Sequence, residues 1–154
     1  MGFLIRLKAI LWKDLLSELR GKELLSMMSF FSLLVLVIFN FAFEPGSAQI
    51  AELGPGILWV AFTFAGVLGL NRSFIMEKEN EGLQGMMLCP GDRGVIYLGK
   101  MGGNLLFMTL IEALTLPFFA VFFNIDLWRI LPQLALILLL STLGFVAVGT
   151  LFAA

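Results

Sequence analysis

Histidine is absent from this 154-residue chain, cysteine and tyrosine occur once each, and proline occurs five times. Without an imidazole there is no Ser-His-Asp arrangement, and one thiol alone cannot build the usual zinc or soft-metal sites. The lone thiol, Cys89, excludes an internal disulfide and leaves the redox compartment unread. There is no P-loop and no Gly-x-Gly-x-x-Gly pattern, so any ATP hydrolysis must come from another polypeptide. Charge is also scarce, at 14% of residues against about 25% in soluble domains. A formal net charge of −1 gives no electrostatic footprint for nucleic acid. Neither a catalytic set nor a cofactor site of the chain's own is visible.

Apolar residues are what the sequence has in excess, at 60% of the chain, with a mean hydropathy of +0.99. They gather in four runs, 24–43, 53–70, 101–123 and 130–154, of which three contain no charge and the third holds only Glu112. A membrane helix needs roughly 20 apolar residues to cross about 30 Å of hydrocarbon. The runs lack the alternation of a barrel strand. The fold class is therefore all-α: a polytopic helical membrane protein with four spans in one transmembrane domain.

Basic residues set the topology. Arg6, Lys8, Lys13, Arg20 and Lys22 precede the first span, and Arg72, Lys78, Arg93 and Lys100 lie in the connection 71–100. The other two connections carry only Arg129, so the N-terminus and the 71–100 loop are expected in the cytoplasm. The fourth run reaches Ala154 with no polar flank, which reads as a fragment of something longer.

Residues 1–23 alternate charged and apolar character, unlike a signal peptide. Arg6, Lys13, Ser17 and Arg20 share one helical stripe, with Phe3, Leu4, Leu7, Ile10, Leu11 and Leu15 opposite. An amphipathic helix lying in the interface is expected, its cations near headgroups. Asp14 and Glu18 intrude on the apolar side, so packing against protein is the other reading, and Gly21 marks the expected bend. Ser26, Ser29 and Ser32 on span 1, with Gly66 and Gly69 on span 2, are small residues suited to close helix approach. Gly54-Pro55-Gly56 is read as the start of span 2. Trp59 and Trp128 fall near the outer interface, and Arg72 anchors the inner end of span 2 at headgroups.

The loop 71–100 is the most informative segment. Glu77 and Glu81 lie one helical turn apart, Gly82 and Gly85 let the backbone bend, and Leu83, Met86, Met87 and Leu88 form an adaptable apolar patch before Pro90. From these residues alone, a solvated interhelical loop and a docking segment both stand.

The pattern Glu77-x-x-x-Glu81-Gly82-Leu83-x-x-Met86-x-x-x-Pro90 resembles the cytoplasmic motif of type-2 ABC exporter permeases. More narrowly, Gly54-Pro55-Gly56-Ile57-Leu58-Trp59-Val60-Ala61-Phe62, with Leu70-Asn71-Arg72-Ser73-Phe74 and Lys100, resembles the CcmB family, the haem exporter B proteins of cytochrome c maturation. That resemblance implies a permease subunit in a bacterial inner membrane, not itself an enzyme. A CcmA-like ATPase would supply the ATP chemistry, and CcmC, CcmD and, indirectly, the haem chaperone CcmE would be partners. A homodimer is also implied. It further implies that Glu77 and Glu81 meet basic residues of the ATPase, while Leu83, Met86 and Met87 enter its apolar groove. The cargo would be haem, or ATP would release a haem-loaded chaperone. The family usually has six spans, again pointing to a fragment, and no histidine follows Lys100 to act as a haem ligand. A permease for lipid, polysaccharide or drug, and a non-transporting scaffold, are the competing readings.

Glu112 sits midway along span 3, where a carboxylate is costly unless it faces a partner or water. It either hydrogen-bonds Ser, Thr or Asn of another span or takes part in gating or subunit contact. A protonated, neutral form is one way the bilayer tolerates it. Pro117, five residues on, interrupts the helical ladder.

Overall fold

Runs of this length and apolarity become helices in lipid because only intra-segment bonds satisfy their backbone groups. The computed structural model describes residues 3–43, 48–79, 93–127 and 130–153. It contains α1 (Phe3–Gly21), α2 (Glu23–Ala42), α3 (Ala48–Glu79), α4 (Arg93–Phe123) and α5 (Leu131–Ala153). Four stretches are long and apolar enough to cross a membrane: Glu23–Ala42, Glu52–Ile75, Gly94–Phe123 and Leu131–Phe152. The polytopic helical class holds.

The helices outrun the apolar runs. α3 begins at Ala48, so Pro55 lies inside it rather than at its start. It continues to Glu79, and α4 begins at Arg93, eight residues before the expected span. Hydropathy reports where lipid ends, not where the helix ends, and 71–79 contains no Gly or Pro to stop it. Of the loop 71–100, residues 80–92 remain, and Glu81, Gly82, Leu83, Met86, Met87 and Pro90 lie outside the described residues. Glu77 is in the last turns of α3, its side chain outside what is described. α4 runs on through Pro117 to Phe123. There Asn124 takes a left-handed φ of 52°, and the Ile125 N–H donates to the Ala120 carbonyl at 3.1 Å. Asn tolerates that conformation, which makes it a natural helix stop.

The bend after α1 falls on Lys22, with φ 55° and ψ 13°, not on Gly21. Glu18 closes this elbow, because its Oε1 accepts the N–H of Leu25 at 2.8 Å and satisfies a donor in the first turn of α2.

Two cores stack along the bundle. Near the α1 end, Leu24, Met28, Ala65, Phe107, Met108, Ile111 and Val146 pack together. Toward the other end lie Leu36, Ile57, Leu58, Ala61, Phe62, Phe119 and Phe123. The small residues work inside the chain. A Cβ at Gly66 would come within 2.5 Å of the Phe145 ring, and one at Gly69 within 2.5 Å of Met28 Sδ. Ser32 is fully buried. Ser32, Gly66 and Gly69 thus serve close approach within the chain, between α2, α3, α4 and α5.

Candidate functional site

Polar side chains collect at two levels. In the middle of the bundle they form a ladder centred on α4. Asn104, Glu112 and Thr115 are all buried, at helical spacing on one face. Thr142 of α5 donates to Glu112 Oε1. Asn104 Nδ2 donates to Thr150 Oγ1 at 3.3 Å. Thr115 Oγ1 donates to Ser32 Oγ at 3.1 Å, and Ser32 Oγ in turn donates to the Ser29 carbonyl at 3.0 Å. Tyr97, nearer the α1 end of α4, donates to the Ala147 carbonyl at 2.8 Å. Such bonds average about 0.6 kcal/mol in a membrane, because a loosened helix finds other partners. Their larger effect is register: each fixes the rotation of one helix against another.

Glu112 also borders a cleft of about 460 Å³ between α3 and α5, with Trp59, Thr63, Met108, Ser141 and Phe145 among its walls. Pro117 is exposed one and a half turns beyond. Trp59, 47% exposed, is therefore a wall of this cleft as well as an outward-facing indole.

At the α1 end the polar groups are full charges. α1 has three faces. Ile5, Trp12, Leu16 and Leu19 are exposed apolar residues on one stripe. Lys13 and Arg20 are exposed on the cationic stripe. The third face, Ile10, Leu11, Asp14 and Glu18, packs inward, so the side expected to meet lipid meets protein instead. Its seat is α4. A Cβ on Gly99 would lie 2.7 Å from Ile10 Cγ2, one on Gly102 would lie 3.0 Å from Leu11 Cδ2, and one on Gly103 3.4 Å from Asp14 Oδ2. Into this contact Lys100 brings its ammonium, 3.1 Å from Asp14 Oδ2 and 3.3 Å from Oδ1. Lys13 also approaches Asp14, at 3.5 Å. Across the elbow, Arg72 Nη2 pairs with Glu23 Oε2 at 2.5 Å, so its charge meets a carboxylate rather than headgroups alone. The side chains of Arg6 and Trp128 lie outside the described residues.

Sequence reasoning reached Glu112, Arg72 and Lys13 but not Lys100 and Asp14 as a pair. The signal was the two acids on the apolar side of α1 and the glycines around Lys100. Linking them needed the fold. Among the described residues no three His, Cys, Asp or Glu side chains converge as a metal site.

A family model described as "CcmB protein" matches residues 5–154. The heme exporter protein B of Pseudomonas aeruginosa is 32% identical over 123 residues, 80% of this chain and 54% of that protein. Its counterpart in Escherichia coli K12 is 30% identical over 95 residues, 58% of this chain and 43% of that protein. In Bradyrhizobium diazoefficiens the heme exporter protein B is 35% identical over 79 residues, half of this chain and 35% of that protein. The chain thus spans about half the length of the first two relatives. No solved structure shows significant similarity to it.

Proposed function

The chain belongs to the CcmB protein family, and on that footing we propose that it is the transmembrane subunit of an ATP-driven complex in cytochrome c maturation. Haem is the cargo, or ATP energy releases haem-loaded chaperone. A CcmA-like ATPase binds on the cytoplasmic side, with CcmC and CcmD in the same assembly and CcmE as the chaperone. The membrane is the bacterial inner membrane, and the α1 end faces the cytoplasm, as nine of ten basic residues favour.

The observation that carries the reading is the pair of helices flanking residues 80–92. α3 and α4 both continue beyond their apolar runs at the α1 end, the end rich in cations. Rigid extensions of two spans give a partner a handle on the bundle. In this reading Glu77 and Glu81 face basic residues of the ATPase, and Leu83, Met86 and Met87, ahead of Pro90 in the sequence, fill its groove.

The test is purification of the full-length protein from native membranes in mild detergent. Recovery of the ATPase with CcmC and CcmD is the expected result. An ATPase without those two would favour an exporter of lipid, polysaccharide or drug, and no ATPase would favour a scaffold. Reversing both acids, Glu77→Lys with Glu81→Lys, should release the ATPase; normal co-purification would overturn the assignment.

A further inference from the structure

Asp14 and Glu23 stand on opposite sides of the Lys22 elbow, and each holds one of the helices flanking residues 80–92. The two holds differ in kind. Asp14 and Lys100 have side chains only 11% and 6% exposed, and the glycine contacts of Ile10 and Leu11 enclose them. Parting that pair would separate opposite charges where little water reaches them, which is costly. Glu23 and Arg72 are 56% and 28% exposed, where water and salt screen them and the pair opens at little cost.

Packing repeats the asymmetry. On α3, burial is complete at Gly69 and Leu70; among the described side chains beyond them, Arg72, Ser73 and Phe74 are half-buried and Asn71 and Ile75 are exposed. On α4, Val95, Gly99 and Lys100 are buried, the last two beneath α1. One helix end is therefore splinted by α1, and the other is only half-buried to exposed over Asn71–Ile75, with a screened ion pair beside it.

We propose that α1 is a splint for the α1 end of α4, held by the Asp14–Lys100 pair, and that movement imposed at this end of the bundle passes through the end of α3 as the Glu23–Arg72 pair opens. Asp14 and Lys100 are positioning residues in this scheme. The source of the movement, an ATPase, rests on the proposed function; the splint does not.

The test uses the full-length protein in nanodiscs with its co-purified ATPase, carrying Cys89→Ser. Spin labels go at the exposed positions Ile5 and Leu106 for α1 against α4, and at Ile5 and Ile75 for α1 against α3. Double electron–electron resonance reads both distances. Without nucleotide, Asp14→Asn should broaden the Ile5–Leu106 distribution roughly twofold as α1 samples undocked positions. Glu23→Gln should leave it narrow, and the swap Asp14→Lys with Lys100→Asp should restore it. With ADP and vanadate, the Ile5–Ile75 distance should shift by roughly 5 Å while Ile5–Leu106 holds within about 2 Å. An Ile5–Leu106 distribution unmoved by Asp14→Asn overturns the splint. Equal nucleotide shifts in both distances overturn the division of labour. No shift in either, in a complex that hydrolyses ATP, overturns the ATP-coupling reading together with delivery through α3, and the nucleotide-free arm still judges the splint.

Discussion

The α1 end and the middle of the bundle solve the same problem with different chemistry. In the middle, helices are held in register by hydroxyls, an amide and one carboxylate that accepts from Thr142. At the α1 end, formal charges meet: Asp14 with Lys100, and Glu23 with Arg72. The difference follows from dielectric. A neutral hydrogen bond loses little when it is not perfect, whereas a charge in hydrocarbon must be matched or neutralised. Near the interface, charge becomes affordable and brings strength that an amide lacks. The lesson is that position along the membrane normal decides which polar residue can fasten two helices.

The sharpest way to break that comparison is to remove one member of the enclosed pair. Lys100→Met should cost about 3 kcal/mol, the lower end of the range for breaking a buried pair, because the more exposed Lys13 still lies 3.5 Å from Asp14. Thermal unfolding in detergent checks it, and Asp14→Leu with Lys100→Met should recover most of the loss. Next comes shape. Gly66→Val places a branched side chain against the Phe145 ring, so a loss of roughly 1–3 kcal/mol is expected in the same assay. A third substitution probes the ladder. Thr142→Val removes the donor to Glu112 and should cost about 0.6–1.7 kcal/mol, much less than Lys100→Met. A Thr142→Val loss equal to that of Lys100→Met would erase the distinction between the two levels. Glu112→Gln keeps an acceptor for Thr142, and assembly measured by co-purification should persist. Loss of transport with intact assembly would assign Glu112 to gating. The smallest effect belongs to Glu23→Gln, whose exposed pair should contribute about 0–1 kcal/mol and weaken further with salt.

Much of the fold was legible because span length and charge asymmetry are one-dimensional signals. The four spans and the stray acids of α1 needed no tertiary knowledge. Helix ends were misjudged where the chain leaves lipid, since α3 and α4 carry their hydrogen-bond ladders on into polar sequence. The bend at Gly21 was misplaced by one residue because glycine permits a left-handed conformation without requiring it, and Lys22 adopts it instead. Ser32, Gly66 and Gly69 are sites of close approach as read, whereas Ser26 is exposed, and sequence could not say that the partners lie in the same chain. The pairing of Arg72 with Glu23 was hidden because the two lie 49 residues apart. Glu112 stood out through cost alone, but Thr142 and the neighbouring cleft could be found only by folding α5 back against α4.

The seat of α1 also has a consequence for biosynthesis. Asp14 leaves the ribosome 86 residues before Lys100, the residue that will hold it. At about 5–20 residues per second, that interval is roughly 4–17 s. During it, α1 has neither its glycine bed nor the Lys100 ammonium. The exposed stripe of Ile5, Trp12, Leu16 and Leu19 gives the newborn helix somewhere to wait, lying on the bilayer while the rest of the chain is made. α1 is thus made well before its seat and finds its place only once α4 has followed.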